Sequence, residues 1–112
     1  MLHDAISACE ELQVFCAGKT EDEFLRDRGL NLIVQKLVEI LGEVLRKTER
    51  TEPEIAAQIP DLRLIVDTRN RTIHGYDTMS YKVLWDVVQD KAPDLERRLR
   101  SLLDNADIDD EA

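Results

Sequence analysis

The stretch RGLNLIVQKLVEILGEVLRKTER, residues 28–50, decides the fold. Its apolar residues return every three or four positions, which is the period of one face of an α-helix. The stripe that they form is wider than a surface helix needs, so we expect a long central helix that packs against two neighbours. Its members are Leu30, Ile33, Val34, Leu37, Val38, Ile40, Leu41, Val44 and Leu45. Gly42 lies inside this helix and costs about 1 kcal/mol of helix propensity, which the close approach of another helix would offset.

The chain before this segment also predicts helices. Residues 2–16 keep one apolar face, and Gly18 suits the end of that first helix. Thr20 and Glu23 form the capping-box pattern of a short second helix that ends near Asp27.

Two further helices are predicted after residue 50. Residues 51–60 contain two prolines and form a connector with room for one helical turn. A fourth helix is expected over about residues 61–74, and a fifth begins after Thr78 or Ser80. Pro93 lies within the fifth helix and predicts a kink or a break at residues 91–92.

The composition excludes other fold classes. The chain has 112 residues, of which 43% are hydrophobic and 4% aromatic, with four glycines and three prolines. A β-sandwich or barrel needs a turn every few residues, so this scarcity of turn-forming residues argues against one. We expect an all-α fold, an antiparallel bundle of four to five helices over residues 1–103. No apolar run approaches the ~18 residues that a membrane span requires, and no secretory leader pattern is present. We therefore expect a cytoplasmic protein.

Charge is unevenly distributed along the chain. There are 15 basic and 24 acidic residues, a formal net charge of −9, which disfavours tight, sequence-independent binding to duplex nucleic acid. Residues 104–112 hold five acids and no base, so we expect a disordered acidic tail there. The segment from Arg63 to Lys82 has four bases and two acids, which leaves room for a local basic site on an acidic body.

The cysteines and histidines do not suggest a redox or metal centre. Cys9 and Cys16 share a helix face but lie roughly 10 Å apart along the axis. That separation is too large for a disulfide, so we expect buried free thiols. His3 and His74 have no cysteine near them, and no carboxylate cluster has ligand spacing. P-loop and dinucleotide glycine patterns are also missing, and we expect no cofactor.

The expected fourth helix carries an arginine that its apolar packing does not explain. Arg69 lies in the middle of an apolar stripe, on the same face as Tyr76. A guanidinium there is costly unless it meets an acid, a phosphate or water. A carboxylate across the seam between two helices is one explanation. Glu39 and Glu43 could supply it, although both also fit a solvated helix face.

Two polar residues lie beside this arginine. Asn70 and His74 are four positions apart and are therefore neighbours on one helix face. A histidine at a helix end is usually a dipole partner or a surface side chain. Next to an arginine and an amide it also suits metal-free cleavage of a phosphodiester, since imidazole moves a proton and the guanidinium stabilises the phosphate charge. One Arg and one His are a thin set, so we expect a homodimer that joins two of each at one seam.

The segment RNRTIHGY, residues 69–76, resembles the signature of HEPN-superfamily ribonucleases. That signature is an Arg, usually followed by a polar residue, with four positions between the Arg and a His. The following Gly75-Tyr76 narrows the resemblance to the HepT family, the toxin half of the MNT–HepT toxin–antitoxin pairs. Further segments similar to that family are LVEILGEV (37–44), DTMSYKVLW (77–85) and KAPDL (91–95). The resemblance covers roughly residues 2–103.

This resemblance implies a homodimeric, metal-independent RNase, the toxin of a type VII-like toxin–antitoxin pair, with tRNA as the expected substrate. Arg69 and His74 would be the catalytic pair, and Asn70 the polar residue beside the arginine. Tyr76 would receive AMP from an MNT-type nucleotidyltransferase antitoxin, and the attached phosphate would block the Arg69 fork. The alternative is a non-catalytic HEPN-like binding module that docks a nucleotidyltransferase or a nucleotide. A plain structural bundle would leave Arg69 unexplained.

Overall fold

The fold is a bundle of helices. The computed structural model describes the backbone of residues 2–73 and 80–111, and the side chains of residues 2–71 and 80–105. The helices of the first half are α1 (Leu2–Cys16), α2 (Glu21–Arg26), α3 (Arg28–Thr51) and the one-turn α4 (Pro53–Ala56). The helices of the second half are α5 (Leu62–Ile73), α6 (Tyr81–Asp86) and α7 (Ala92–Glu111), with a π-helical turn, Val87–Lys91, between the last two.

The π-helical turn makes α6 and α7 one continuous helix. Counted this way, the described part of the chain holds six helices and no strand, which confirms the all-α fold class. The expected number was four to five. The difference is α4, a single turn in the connector over residues 51–60, where the sequence leaves room for one.

Local features of the chain explain where the first helices begin and end. Gly18 ends α1 with a φ of +75°, a backbone conformation that favours glycine. Thr20 and Glu23 form both hydrogen bonds of the expected capping box at the start of α2. Asp27 then caps α3 by accepting a hydrogen bond from the backbone N–H of Leu30 at 2.9 Å. These caps confirm the predicted helix boundaries in this part of the chain.

Helix α3 is the centre of the bundle, as its wide apolar stripe predicts. It packs against both α1 and α5, and α1 packs in turn against α7. The fully buried side chains of α3 include Val34, Val38, Leu41 and Leu45. Two residues of the expected stripe, Ile33 and Ile40, remain 39% and 38% exposed, so the stripe is wider than the two packed faces of the helix.

Pro93 changes the hydrogen bonding of the last helix without breaking it. Proline has no backbone N–H, and its ring clashes with the carbonyl four residues earlier. The helix absorbs this by a π-turn, in which the N–H of Ala92 donates to the carbonyl of Val87, five residues back. Of the two alternatives expected at residues 91–92, a kink or a break, the break does not occur: the chain stays helical through the π-turn, and Val87, Val88 and Ala92 remain buried.

The end of the chain continues the last helix. The backbone of α7 is helical to Glu111, and among the described side chains Leu102 is the last buried one. The expected boundary at residue 103, and the disordered tail beyond it, remain predictions. None of the helices in the described residues is both long and apolar enough to cross a lipid bilayer.

Candidate active site around Arg69

The predicted site residues divide into two groups. Arg69 and Asn70 lie in α5, one turn before its last residue, Ile73. His74 and Tyr76 lie outside the described residues, so their expected catalytic and modified roles remain predictions. Among the described residues, Arg69 is therefore the centre of the candidate site.

Among the described residues, Arg69 donates hydrogen bonds to the side chains of Asn70 and Glu43. Its side chain is 16% exposed. Nη1 donates to Oδ1 of Asn70 at 2.9 Å, and Nη2 donates to Oε2 of Glu43 at 2.5 Å. The bond to Glu43 crosses from α5 to α3 and pairs a cation with an anion, which makes it a strong, charge-assisted hydrogen bond. Of the explanations for Arg69 left open by the sequence, the structure shows a carboxylate across a helix seam.

Glu43 contacts a second arginine as well. Its Oε2 lies 3.7 Å from Nη1 of Arg46, one turn further along α3. The Arg46 side chain is 44% exposed and that of Glu43 is 33% exposed. Glu43 therefore keeps part of the solvent exposure expected of it and also supplies the carboxylate that contacts Arg69. It is half-buried, and the Arg69 side chain from α5 contacts it.

Gly42 marks the point where α3 and α5 cross. A Cβ at this position would lie 2.3 Å from Cβ and 2.7 Å from Cγ of Arg69, far inside van der Waals contact. The absence of a side chain at Gly42 therefore allows the two backbones to approach and brings Arg69 against α3. This confirms the expected close approach of another helix at Gly42.

An open groove of about 430 Å³ lies beside this contact and is lined by residues of α1, α3 and α5. We call it the Arg69 groove. Its charged lining residues are Asp4, Glu11, Glu39, Glu43, Lys36 and Arg69. Four carboxylates against two cations give it a negative balance. The apolar part of the lining includes Leu37, the exposed Ile40, and Val44.

The thiols lie elsewhere in the bundle. Cys9 and Cys16 are both free and buried, as the sequence predicts. Burial raises the pKa of the Cys9 thiol to about 12, and the nearby Glu96 carboxylate adds to that effect. Within the described residues, no three His, Cys, Asp or Glu side chains form a group that could hold a metal ion.

Sequence reasoning found Arg69 and Asn70 but left the role of Glu43 open. A signal was present in the helix interior: Gly42 is a poor helix former, and Glu43 is its neighbour in the chain. The choice between Glu39 and Glu43 depends on where α5 crosses α3, and a one-dimensional pattern does not give that crossing point.

The chain matches a known family over most of its length. A family profile described as Ribonuclease HepT-like matches residues 5–102. That range includes most of α1, all of α3 and α5, and the segment with His74 and Tyr76.

Curated relatives match over nearly the whole chain. A protein named "Putative RNase" from Methanocaldococcus jannaschii is 24% identical over 98% of this chain and 90% of its own length. One with the same description from Caldanaerobacter subterraneus is 24% identical over 91% of this chain and 90% of its own. A "Probable ribonuclease HepT" from Thermococcus cleftensis is 27% identical over 90% of this chain and 91% of its own. No solved structure matches the chain significantly.

Proposed function

The chain belongs to the Ribonuclease HepT-like family, and we propose that it is a metal-independent endoribonuclease in which Arg69 and His74 act on the scissile phosphate. The observation that carries this proposal is the held guanidinium. Arg69 is mostly buried, and its side chain is fixed by Asn70 and Glu43 within two turns of the end of α5. His74 follows one residue after that helix.

His74 and Arg69 have different roles in the proposed reaction. The 2′-oxygen of the RNA attacks the adjacent phosphorus, the bond from phosphorus to the 5′-oxygen breaks, and a cyclic phosphate and a 5′-hydroxyl end form. His74 takes the proton of the 2′-hydroxyl or supplies one to the leaving 5′-oxygen, because imidazole titrates near neutral pH. Arg69 stabilises the negative charge that builds on the non-bridging oxygens. Asn70 holds the guanidinium from its other side.

A homodimer completes the proposed site. Each chain brings only one Arg and one His to the proposed site, which are few groups for the two proton transfers and the charge stabilisation. A two-fold seam along α3 and α5 would supply two of each around one groove. The exposed Ile40 in the Arg69 groove supports a seam there, because a large apolar side chain beside a charged site gains from being covered.

The substrate and the partner are the finer parts of the proposal. A small cleft on a chain of net charge −9 suits an RNA recognised by its shape, such as tRNA in the cytoplasm, rather than any duplex. We assign the chain to the toxin side of a toxin–antitoxin pair. An MNT-type nucleotidyltransferase antitoxin would join the α-phosphate of ATP to the Tyr76 oxygen, with release of pyrophosphate and the phenol proton. The added phosphate would compete for the Arg69 fork.

A second candidate function is a binding module that docks a nucleotidyltransferase or a nucleotide without cutting RNA. The observation in its favour is that Glu43 already accepts a hydrogen bond from Nη2 of Arg69, in a groove whose charged lining is mostly acidic. An Arg–Glu pair is also what a plain helical bundle would need. Membership in a ribonuclease family favours the enzyme.

The deciding experiment incubates labelled tRNA in EDTA with protein purified without any partner. The wild type should cleave and leave cyclic phosphate ends. His74→Ala should not cleave, while its helical content and melting temperature stay near those of the wild type. His3→Ala removes the other histidine, which is exposed on α1, and should cleave normally. No cleavage by any of the three, with Tyr76 shown by mass to be unmodified, would favour the binding module instead.

The partner proposal has its own matched pair, because the chain has two tyrosines. With the nucleotidyltransferase and ATP, the wild type and Tyr81→Phe should gain the mass of one AMP and lose activity. Tyr76→Phe should gain no mass and keep cleaving. Continued silencing of Tyr76→Phe would show that another residue is modified or that the partner acts by occlusion.

A further inference from the structure

The strongest unexplained feature is the pair Gly42-Glu43, two neighbours on α3 that both act on Arg69. Gly42 leaves the space that the Arg69 Cβ and Cγ fill, and Glu43 binds the far end of the same side chain. We propose that Gly42 and Glu43 are positioning residues, which together set the place and the plane of the Arg69 guanidinium for reaction. This inference rests on the proposed ribonuclease function.

Gly42 acts through the space that it leaves on α3. In a helix interior, alanine is favoured over glycine, so a glycine there weakens α3 unless the space above it is used. That space holds Arg69 Cβ at 2.3 Å and Cγ at 2.7 Å from where a Cβ would be, and the Ile65 carbonyl oxygen at 3.4 Å. The carbonyl distance is an ordinary contact, but Cβ of Arg69 is bonded directly to the backbone of α5. An added methyl group must therefore push α5 and the base of Arg69 away from α3.

Glu43 acts on the orientation of the guanidinium. A guanidinium is planar, and its two terminal nitrogens are anchored by different residues: Nη1 by Asn70 on its own helix, Nη2 by Glu43 on the neighbouring one. The bond to Asn70 comes from the same helix and does not tie the guanidinium to α3. The bond across the seam adds the second point, and preorganised donors are what stabilise a developing phosphate charge.

Arg46 provides a control within the same carboxylate. It approaches the same atom, Oε2 of Glu43, but at 3.7 Å instead of 2.5 Å, and its side chain is 44% exposed where that of Arg69 is 16% exposed. Exposed pairs at that distance contribute little to stability. Removing Arg46 should therefore leave both Glu43 and Arg69 in place.

Gly29 provides the matched control for Gly42. It also lies in α3, but a Cβ there would meet only Oδ1 of Asp27 at 3.6 Å, an ordinary contact. Gly42→Ala and Gly29→Ala make the same change in the same helix. Only Gly42→Ala displaces Arg69.

The test combines single-turnover kinetics with nitrogen-15 NMR of the arginine side chains on the full chain. Glu43→Gln should lower the cleavage rate constant by about 10- to 100-fold, with the KM for RNA within about two-fold of wild type, because the loss falls on transition-state charge. Gly42→Ala should show the same kinetic split. Arg46→Ala and Gly29→Ala should cleave like the wild type.

A double-mutant cycle separates positioning from general damage. In an Arg69→Ala background, Glu43→Gln should cause no further loss of rate, since its effect passes through Arg69. An equal loss in both backgrounds would overturn the inference. So would a wild-type rate in Gly42→Ala.

NMR makes the result independent of catalysis. If Glu43 and Gly42 hold Arg69, its side-chain N–H signals should exchange slowly in the wild type and in Arg46→Ala, and should disappear in Glu43→Gln and Gly42→Ala. If the wild type cleaved no RNA, the proposed function would fail, yet this signal would still report whether Glu43 and Gly42 hold Arg69. Unchanged Arg69 signals in both variants would overturn the inference even in an active enzyme.

Discussion

At the scale of single residues, the shape of the Arg69 side chain matters as much as its charge. The guanidinium reaches Asn70 and Glu43 from two nitrogens in one plane, whereas a lysine ammonium is a point charge that lacks this fork. Arg69→Lys should therefore slow cleavage by about 10²- to 10³-fold, the usual cost of losing a donor to a developing oxyanion. The measurement is the single-turnover rate on tRNA.

Arg69→Ala distinguishes a catalytic from a purely structural arginine. It should cut activity to a low residual rate and keep the dimer mass expected of the wild type in light scattering. A monomer would mean that Arg69 serves the interface, and a wild-type rate in Arg69→Lys would mean that the positive charge alone suffices.

The buried thiol of Cys9 predicts a pH dependence of stability. Its pKa is raised from 9.0 to about 12, by burial first and by Glu96 second. The unfolded chain therefore loses this proton at a lower pH than the folded chain, so the stabilisation is fully present below pH 9 and is lost between pH 9 and about 12. At about 1.4 kcal/mol per pH unit, the loss by pH 10.5 is about 2 kcal/mol.

Urea unfolding at pH 8 and pH 10.5 tests this. Cys9→Ala should lose less stability than the wild type over that range, since other titrating groups act on both proteins equally. An identical pH dependence in the two proteins would show that Cys9 does not titrate as its burial implies.

At the scale of elements, α3 shows how far pattern alone goes. Its length and its contact with two neighbours are predictable, because the apolar period and the wide stripe are local features of the chain. The capping of α3 by Asp27 was not predicted. The π-turn before Pro93 was not predicted. A proline forces some adjustment, but whether a helix kinks, breaks or gains a residue depends on the packing of Val87, Val88 and Ala92.

The candidate site was also predictable only in part. Arg69 stands out in the sequence because an isolated charge interrupts an apolar stripe. Its partner does not, because Glu39 and Glu43 are equally plausible on a helical wheel and only the crossing at Gly42 selects Glu43. Which residues of two helices meet depends on how the helices pack in three dimensions. Gly42 was the one feature of the sequence that indicated this crossing.

Helix α5 provides a matched pair for testing its packing. Ile65 is fully buried against α3, while Leu64, its neighbour in the chain, is 40% exposed. Ile65→Ala should lower the free energy of unfolding by about 2–5 kcal/mol, through lost burial and the cavity left behind. Leu64→Ala should change it by about 0.5 kcal/mol or less. Urea unfolding at one fixed protein concentration measures both, and equal losses would contradict this assignment of the α5 faces.

At the scale of the whole molecule, charge and shape constrain how two copies can meet. The Arg69 groove carries four carboxylates against two cations, so an isologous contact there brings like charges together. The exposed Ile40 in the same groove offsets that repulsion only if it is covered. We therefore expect the proposed dimer to strengthen as salt screens the carboxylates, the opposite of the expected effect of salt on RNA binding.

A charge placed on Ile40 tests the proposed seam directly. Ile40→Glu adds a fifth carboxylate to the groove, and two-fold symmetry places two such charges in one interface, so the variant should be a monomer by light scattering and should not cleave RNA. Leu25 is 37% exposed on α2, nearly the same as Ile40 at 38%, and it does not line the groove. Leu25→Glu should therefore keep both dimer mass and cleavage. A dimeric, active Ile40→Glu would place the seam elsewhere, and the two arginines of a dimer would then have to meet across a different face of α5.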